Sequence, residues 1–284
     1  MGQHVNVSAV NVIWGTHDSR DGASGKTGRR VIERLTAAGW AHRAVGRTSA
    51  SPFVWEQPAT WPVVLEGVRA AYIVHPELAA PDAPAVIEEF TAAAGVAGVE
   101  RLVLLSGRGE TNAELSERAV QNAGPAHTVV RAAWFAQNFT EGLLHPGAGG
   151  GVFALPAGTV REPVVDADDI ADVVTAALTD PRHDGRLYDV TGARLLGFDE
   201  MAEEISRASG RPVRYAPVGL DEFREMLTPH VGPVQAEMFV QLCGEVFDGR
   251  NEKAGDGMQQ ALGREPRDFA AFCRAAAASG VWSW

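Results

Sequence analysis

Short strand-like runs separated by amphipathic stretches leave the first half of the chain few folds to adopt. The runs are VNVIWG (10–15), HRAVGR (42–47), AAYIVH (70–75), RLVLLSG (101–107) and HTVVR (127–131). Between the first two, RRVIERLTAAGW (29–40) sets Val31, Ile32, Leu35 and Ala38 on one helical face, with Gly39 as the stop. Further helices are expected from about Pro84 to Ala94 and from about Asn112 to Asn122. Near-continuous apolar strands alternating with amphipathic helices predict a parallel sheet covered on both faces. Right-handed crossovers then make it a Rossmann-type, doubly wound α/β fold.

After about residue 140 the texture changes. HPGAGGGVFALPAG (145–158) is rich in Gly and Pro and reads as a loop beside a cleft. DADDIADVVTAAL (166–178) reads as a capped helix and RLYDVTG (186–192) as a strand. GFDEMAEEISRASG (197–210) is a helix ended by Gly210, RPVRYAPV (211–218) follows, and the remainder is mostly helical. With no repeat and no low-complexity linker, residues 1–284 read as one unit. Its dinucleotide-binding core covers about 10–145. A small C-terminal α/β substrate lobe covers about 146–284, interleaved with the last core strands.

Bulk properties narrow the partners. The net charge is −11 and no Lys/Arg cluster stands out, which argues against nucleic acid and anionic membrane surfaces. No segment approaches the ~18 continuous apolar residues of a membrane helix. The two cysteines, Cys243 and Cys273, exclude a disulfide framework and suit a reducing compartment. The N-terminus carries no targeting pattern. A cytoplasmic monomer or homodimer acting on a small molecule is expected.

The stretch WGTHDSRDGASGKTGRR (14–30) carries the glycines of a phosphate-binding turn, which lets backbone N–H groups approach a pyrophosphate at a helix N-terminus. Gly22, Gly25 and Gly28 are evenly spaced, but the preceding THDSRD cannot be a buried strand. A second threading keeps the strand over 10–14. It delivers Gly15-Thr16, resumes at Ser24-Gly25-Lys26-Thr27-Gly28, and leaves HDSRDGA (17–23) as an insertion. A P-loop would need Gly where Arg20 stands. Past the second strand, Arg43 to Ser49 contain no acid to read a free ribose 2′-hydroxyl. Arg47, with Thr48 beside it, favours a 2′-phosphate and hence NADP; the alternative is a solvated surface Arg.

GASGKTGRRVIERL, GVRAAYIVHP, GVERLVLLSGRGE, HTVVRAAWFAQNF, VVDADDIADVVTAAL, ISRASGRPVRYAPV and LGREPRDFAAF occur in this order. Together they resemble the NmrA-like, atypical short-chain dehydrogenase/reductase family, most closely its ergot-alkaloid (festuclavine and agroclavine dehydrogenase-type) reductases and their actinobacterial relatives. The resemblance spans nearly the whole chain and implies a Rossmann domain, a small substrate lobe and NADP(H) binding. It implies cofactor contacts at Thr16, Ser24, Gly25, Lys26, Thr27, Gly28 and Arg47, and at the strand ends His75-Pro76 and Ser106-Gly107. Two departures are the insertion over 17–23 and Ala132, where such relatives tend to carry Pro.

Typical short-chain reductases place Tyr and Lys four residues apart on the helix after the Ser-bearing strand, where they protonate a developing alkoxide. Thr111 to Arg118 contain neither. An iminium or a quinone needs less help, because its acceptor is already electrophilic. The expected activity is therefore NADPH-dependent reduction of a small aromatic or alkaloid-like iminium, quinone or activated C=C, in secondary metabolism. Ser106 and His75 are the candidate catalytic groups. Ser106 reads equally as a loop cap, and His75 as packing against the cofactor. Trp134, Phe135 and Asn138 follow a strand C-terminus and are candidate substrate contacts, or plain core. Asp166 or Asp168 reads as a helix cap rather than a metal ligand, so no metal is expected. Two other readings stay open: a redox sensor that binds NADP(H) without turnover, and a cofactor-free enzyme of cyclisation, isomerisation or elimination.

Overall fold

A computed structural model of the chain describes residues 9–14, 25–47 and 49–283. In chain order the elements begin β1 (Ala9–Trp14), α1 (Gly28–Ala37), β2 (His42–Val45), α2 (Trp61–Leu65), β3 (Val68–Val74), α3 (Ala83–Val96), β4 (Arg101–Gly107), α4 (Thr111–Gln121) and β5 (Ala126–Ala132). They continue with α5 (Asn138–Glu141), α6 (His145–Gly150), β6 (Val152–Leu155), β7 (Arg161–Glu162), α7 (Ala167–Thr179), β8 (Arg186–Val190), β9 (Leu196–Gly197), α8 (Phe198–Ser209) and β10 (Arg214–Pro217). The helices α9 (Leu220–Val231), α10 (Pro233–Val246), α11 (Gly257–Leu262) and α12 (Phe269–Ala278) complete the described chain.

The chain folds into two interleaved units. One comprises the described residues of Met1–Ser106 with Thr111–Arg131 and Ile170–Tyr188; the other comprises Gly107–Glu110, Ala132–Asp169 and Asp189–Trp284. The first is built on a sheet of order β2-β1-β3-β4-β5-β8, with β1 parallel to both β2 and β3, and β3 parallel to β4. This is the Rossmann-type parallel architecture the strand pattern predicts. The order reverses beside β1, the position where open α/β sheets take ligands at their C-terminal edge. Ile73, Leu102, Val103, Leu104, Val129 and Val130 are buried, as apolar runs in a covered parallel sheet must be. Of the predicted stripe on α1, Val31 and Leu35 are buried, Ile32 is half-buried and Ala38 is exposed, because the helix ends at Ala37. Gly39 follows with φ of 72°, a left-handed stop that glycine reaches without a Cβ clash.

The second unit packs Phe139, Phe153, Leu155, Phe198, Met201, Phe223, Phe269 and Trp282 into one apolar cluster. Here the expected loop over 145–158 is corrected. Pro146 stands in the first turn of α6, where a missing N–H costs nothing, and Gly151 ends the helix at φ of 88°. Val152–Leu155 then forms β6, parallel to β10. Glycines permitted this short helix, and pairing outside the segment created the strand. Asp166 is the cap of α7, accepting from Asp168 N–H at 2.9 Å, while Asp169 is buried and accepts from Arg264 and Arg267. No cluster able to hold a metal occurs among the described residues, and no helix in them is long and apolar enough to cross a membrane.

Candidate active site

In the first unit, three strand ends and one helix start converge on the sheet's C-terminal edge. Gly25 to Gly28 turn into α1: Gly25 C=O accepts from Arg29 N–H at 3.3 Å, and Thr27 C=O from Val31 N–H at 3.0 Å. Thr27 is the N-cap residue, yet its side chain makes no capping bond. Its hydroxyl instead accepts from the buried Tyr72 phenol on β3 at 3.0 Å, which ties the turn to the sheet. The first turn holds no acid and carries Arg29 and Arg30, the reverse of what a helix dipole favours in isolation. Backbone N–H groups and the dipole together suit an anion there. Gly25, Lys26, Thr27 and Gly28 are thus brought to one helix start, whereas Gly15, Thr16, Ser24, Thr48 and the insertion over 17–23 lie outside the described residues.

Arg47 stands just past β2 and pairs with Glu56, its Nη2 donating to both carboxylate oxygens at 2.7 and 2.9 Å. The loop that carries Glu56 is anchored at both ends. Phe53 N–H donates to Gly46 C=O at 3.0 Å, and the Trp61 indole donates to Val54 C=O at 3.1 Å. Phe53, Trp55, Trp61 and Phe90 form a buried aromatic cluster, and the Trp55 ring lies 5.0 Å from that of His75. Sequence reading missed Glu56, which is nine residues beyond Arg47 in a segment without helical or strand periodicity.

His75 follows β3, and its Nδ1 accepts from Glu77 N–H at 3.2 Å, so the neutral ring carries its proton on Nε2. Burial holds its pKa below the usual imidazole value, against the opposing charges of Asp82 and Glu56. His75 is therefore a neutral donor rather than a reservoir of acid protons near pH 7. Pro76 is exposed beside it. Ser106, on β4, is buried, and its hydroxyl donates to Glu117 Oε1 at 2.6 Å. Arg131 on β5 donates to the same carboxylate through Nε at 2.8 Å and Nη2 at 2.5 Å. The Ser106 proton is thus committed to a buried carboxylate on α4, a position suited to bracing the ends of β4 and β5 rather than to proton transfer. Each of the three tyrosines has a hydrogen-bond partner: Tyr72 is bonded to Thr27, Tyr188 to His183 at 2.8 Å, and Tyr215 to Leu155 C=O at 3.1 Å.

In the second unit, the Glu110 carboxylate lies against Gly107, where an added Cβ would come within 1.8 Å of Oε1 and displace that side chain. Burial, helped by the Glu245 charge, raises the Glu110 carboxyl to about 7. Trp134 is half-buried against Phe247 (4.9 Å) and Phe198 (6.4 Å), and its buried indole Nε1 has no hydrogen-bond partner. Phe135 bridges Val165, and Asn138 opens α5. These three residues therefore share one short stretch after β5.

A Rossmann-type sheet with an anion-suited helix start defines the class of nucleotide-binding α/β proteins. Comparison with known proteins narrows it, although no protein-family model matches the chain. The chain is 30% identical to the NAD(P)H azoreductase of Xenophilus azovorans, over 91% of this chain and 97% of that protein. It is also 30% identical to the agroclavine dehydrogenase of Claviceps fusiformis, over 88% and 94% respectively. Among solved structures, the triphenylmethane reductase of Citrobacter sp., complexed with NADP(H), superposes with a TM-score of 0.76 at 20% identity, covering 95% of this chain and 99% of that one. The chain belongs to the NmrA-like, atypical short-chain dehydrogenase/reductase family, and the azoreductase and agroclavine dehydrogenase it resembles are oxidoreductases.

Proposed function

We propose that this chain is an NADPH-using reductase of planar, electron-poor acceptors: azo groups, quinones, iminium ions or activated C=C bonds. The observation that carries this reading is the start of α1. The Gly25–Gly28 turn, leading into a first turn that holds no acid and whose Thr27 side chain makes no capping bond, offers an anion-binding corner at the sheet's C-terminal edge. Arg47 past β2 suits the adenosine end, and His75 offers a neutral Nε2–H past β3. When bound, the dihydronicotinamide supplies a hydride.

The substrate class follows from what the described residues do not offer. α4 contains neither Tyr nor Lys, the Ser106 proton is held by Glu117, and Tyr72 is locked on Thr27. Among these residues a ketone would find no alkoxide proton donor, whereas an acceptor that is already electron-poor needs chiefly orientation. The names of the azoreductase and agroclavine dehydrogenase relatives support this choice. Trp134, Phe135 and Asn138 are the residues proposed to face the acceptor. Purified chain supplied with NADPH and a panel of azo dye, quinone and cyclic iminium should consume NADPH with at least one of them. Binding without turnover on any acceptor would favour the sensor reading instead, and the absence of binding would favour the cofactor-free one.

A further inference from the structure

Arg47 does not stand alone past β2. It is engaged by a carboxylate that the loop anchoring holds in place. Phe53 and Trp55 bury the loop stem, Thr60 Oγ1 accepts from Val54 N–H at 3.2 Å, and the Trp61 indole clamps Val54 C=O. Trp55, adjacent to Glu56, holds its ring 5.0 Å from that of His75, which sets this loop beside the end of β3. Only Nη2 of the guanidinium is spent on Glu56, so Arg47 keeps Nε and Nη1 for a second anion.

From this pair we infer that Glu56 is a second, competing reader of the adenosine ribose, which sets the chain's preference between NADPH and NADH. The inference rests on the proposed dinucleotide site. With NADH, the Glu56 carboxylate accepts the ribose 2′-hydroxyl, supplying the acid that is absent from Arg43 to Ser49. With NADPH, Arg47 takes the 2′-phosphate through its remaining donors, while Glu56 repels the phosphate across a short distance. The two side chains are 40% and 57% exposed, so solvent screens the pair and neither outcome is all-or-none.

Titrating the full chain with NADPH and with NADH at low ionic strength, followed by nicotinamide fluorescence, tests the inference. Glu56→Gln keeps an oxygen for Arg47 and removes the charge. It should tighten NADPH by about threefold to tenfold and weaken NADH by a similar factor, a change that added salt shrinks. Arg47→Gln should weaken NADPH by about tenfold or more while leaving NADH within about threefold. If Arg47→Gln loses NADPH but Glu56→Gln leaves the NADPH-to-NADH ratio unchanged, the competing-reader role is wrong and the site stands. If wild type binds neither cofactor, or Arg47→Gln alters neither, the site and the inference fall together.

Discussion

Two buried glutamates, one in each unit, face an arginine and meet opposite fates. Glu117 in the first unit is saturated: Ser106 and both donating nitrogens of Arg131 point at its oxygens. Glu162 in the second unit is equally buried, but its Oε1 has no hydrogen-bond partner. The nearby Arg108 is turned elsewhere. Its Nη1 donates to Asn251 C=O at 2.7 Å, its Nε lies 2.9 Å from Asp189 Oδ1 without hydrogen-bond alignment, and its Nη2 is unpartnered. Burial therefore wins at Glu162 and raises its carboxyl to about 8, with Arg108 offsetting part of the effect and Glu252 adding to it. A nearby opposite charge does not suffice to keep a buried carboxylate ionised; donors must be aimed at it.

The largest effect expected from breaking this contrast is at Glu117. Glu117→Ala strands Ser106 and leaves Arg131 only a quarter exposed, and denaturant unfolding should show a loss of about 3 kcal/mol. A loss under about 1 kcal/mol would mean the network is decorative. At Glu162 the sign reverses. The native state holds a proton that the unfolded chain releases above about pH 4.5, so this group's stabilisation is complete below that pH and is lost as pH rises to about 8. Glu110, raised to about 7, acts in the same direction. Glu162→Gln should flatten the fall in melting temperature between pH 5 and pH 8, and gain on the order of 2 kcal/mol over wild type at the upper end. An unchanged pH profile would show that Glu162 is ionised after all. Smallest is Tyr72→Phe, which removes one buried neutral hydrogen bond to Thr27 and should cost about 1 kcal/mol by the same unfolding measurement.

The sheet was legible because its strands are apolar runs separated by amphipathic helices, the first of them stopped by Gly39. The α6–β6 stretch was not: its glycines mask a helix, and β6 exists only through its pairing with distant β10. The Asp166 cap was visible because capping is local. Glu117 and Glu56 were not, since each acquires its meaning from an arginine on another segment that only the tertiary fold brings near. Of the glycine-rich turn before α1, the part from Gly25 to Gly28 was readable as glycine spacing, and the fold adds the hydrogen bond from the Tyr72 phenol to Thr27.

The most direct test of the account is a calorimetric titration of the full chain with NADPH. One saturable site per chain, weakened as salt rises and accompanied by an increase in melting temperature, is the predicted result. Absence of both heat and thermal shift up to millimolar NADPH would contradict it.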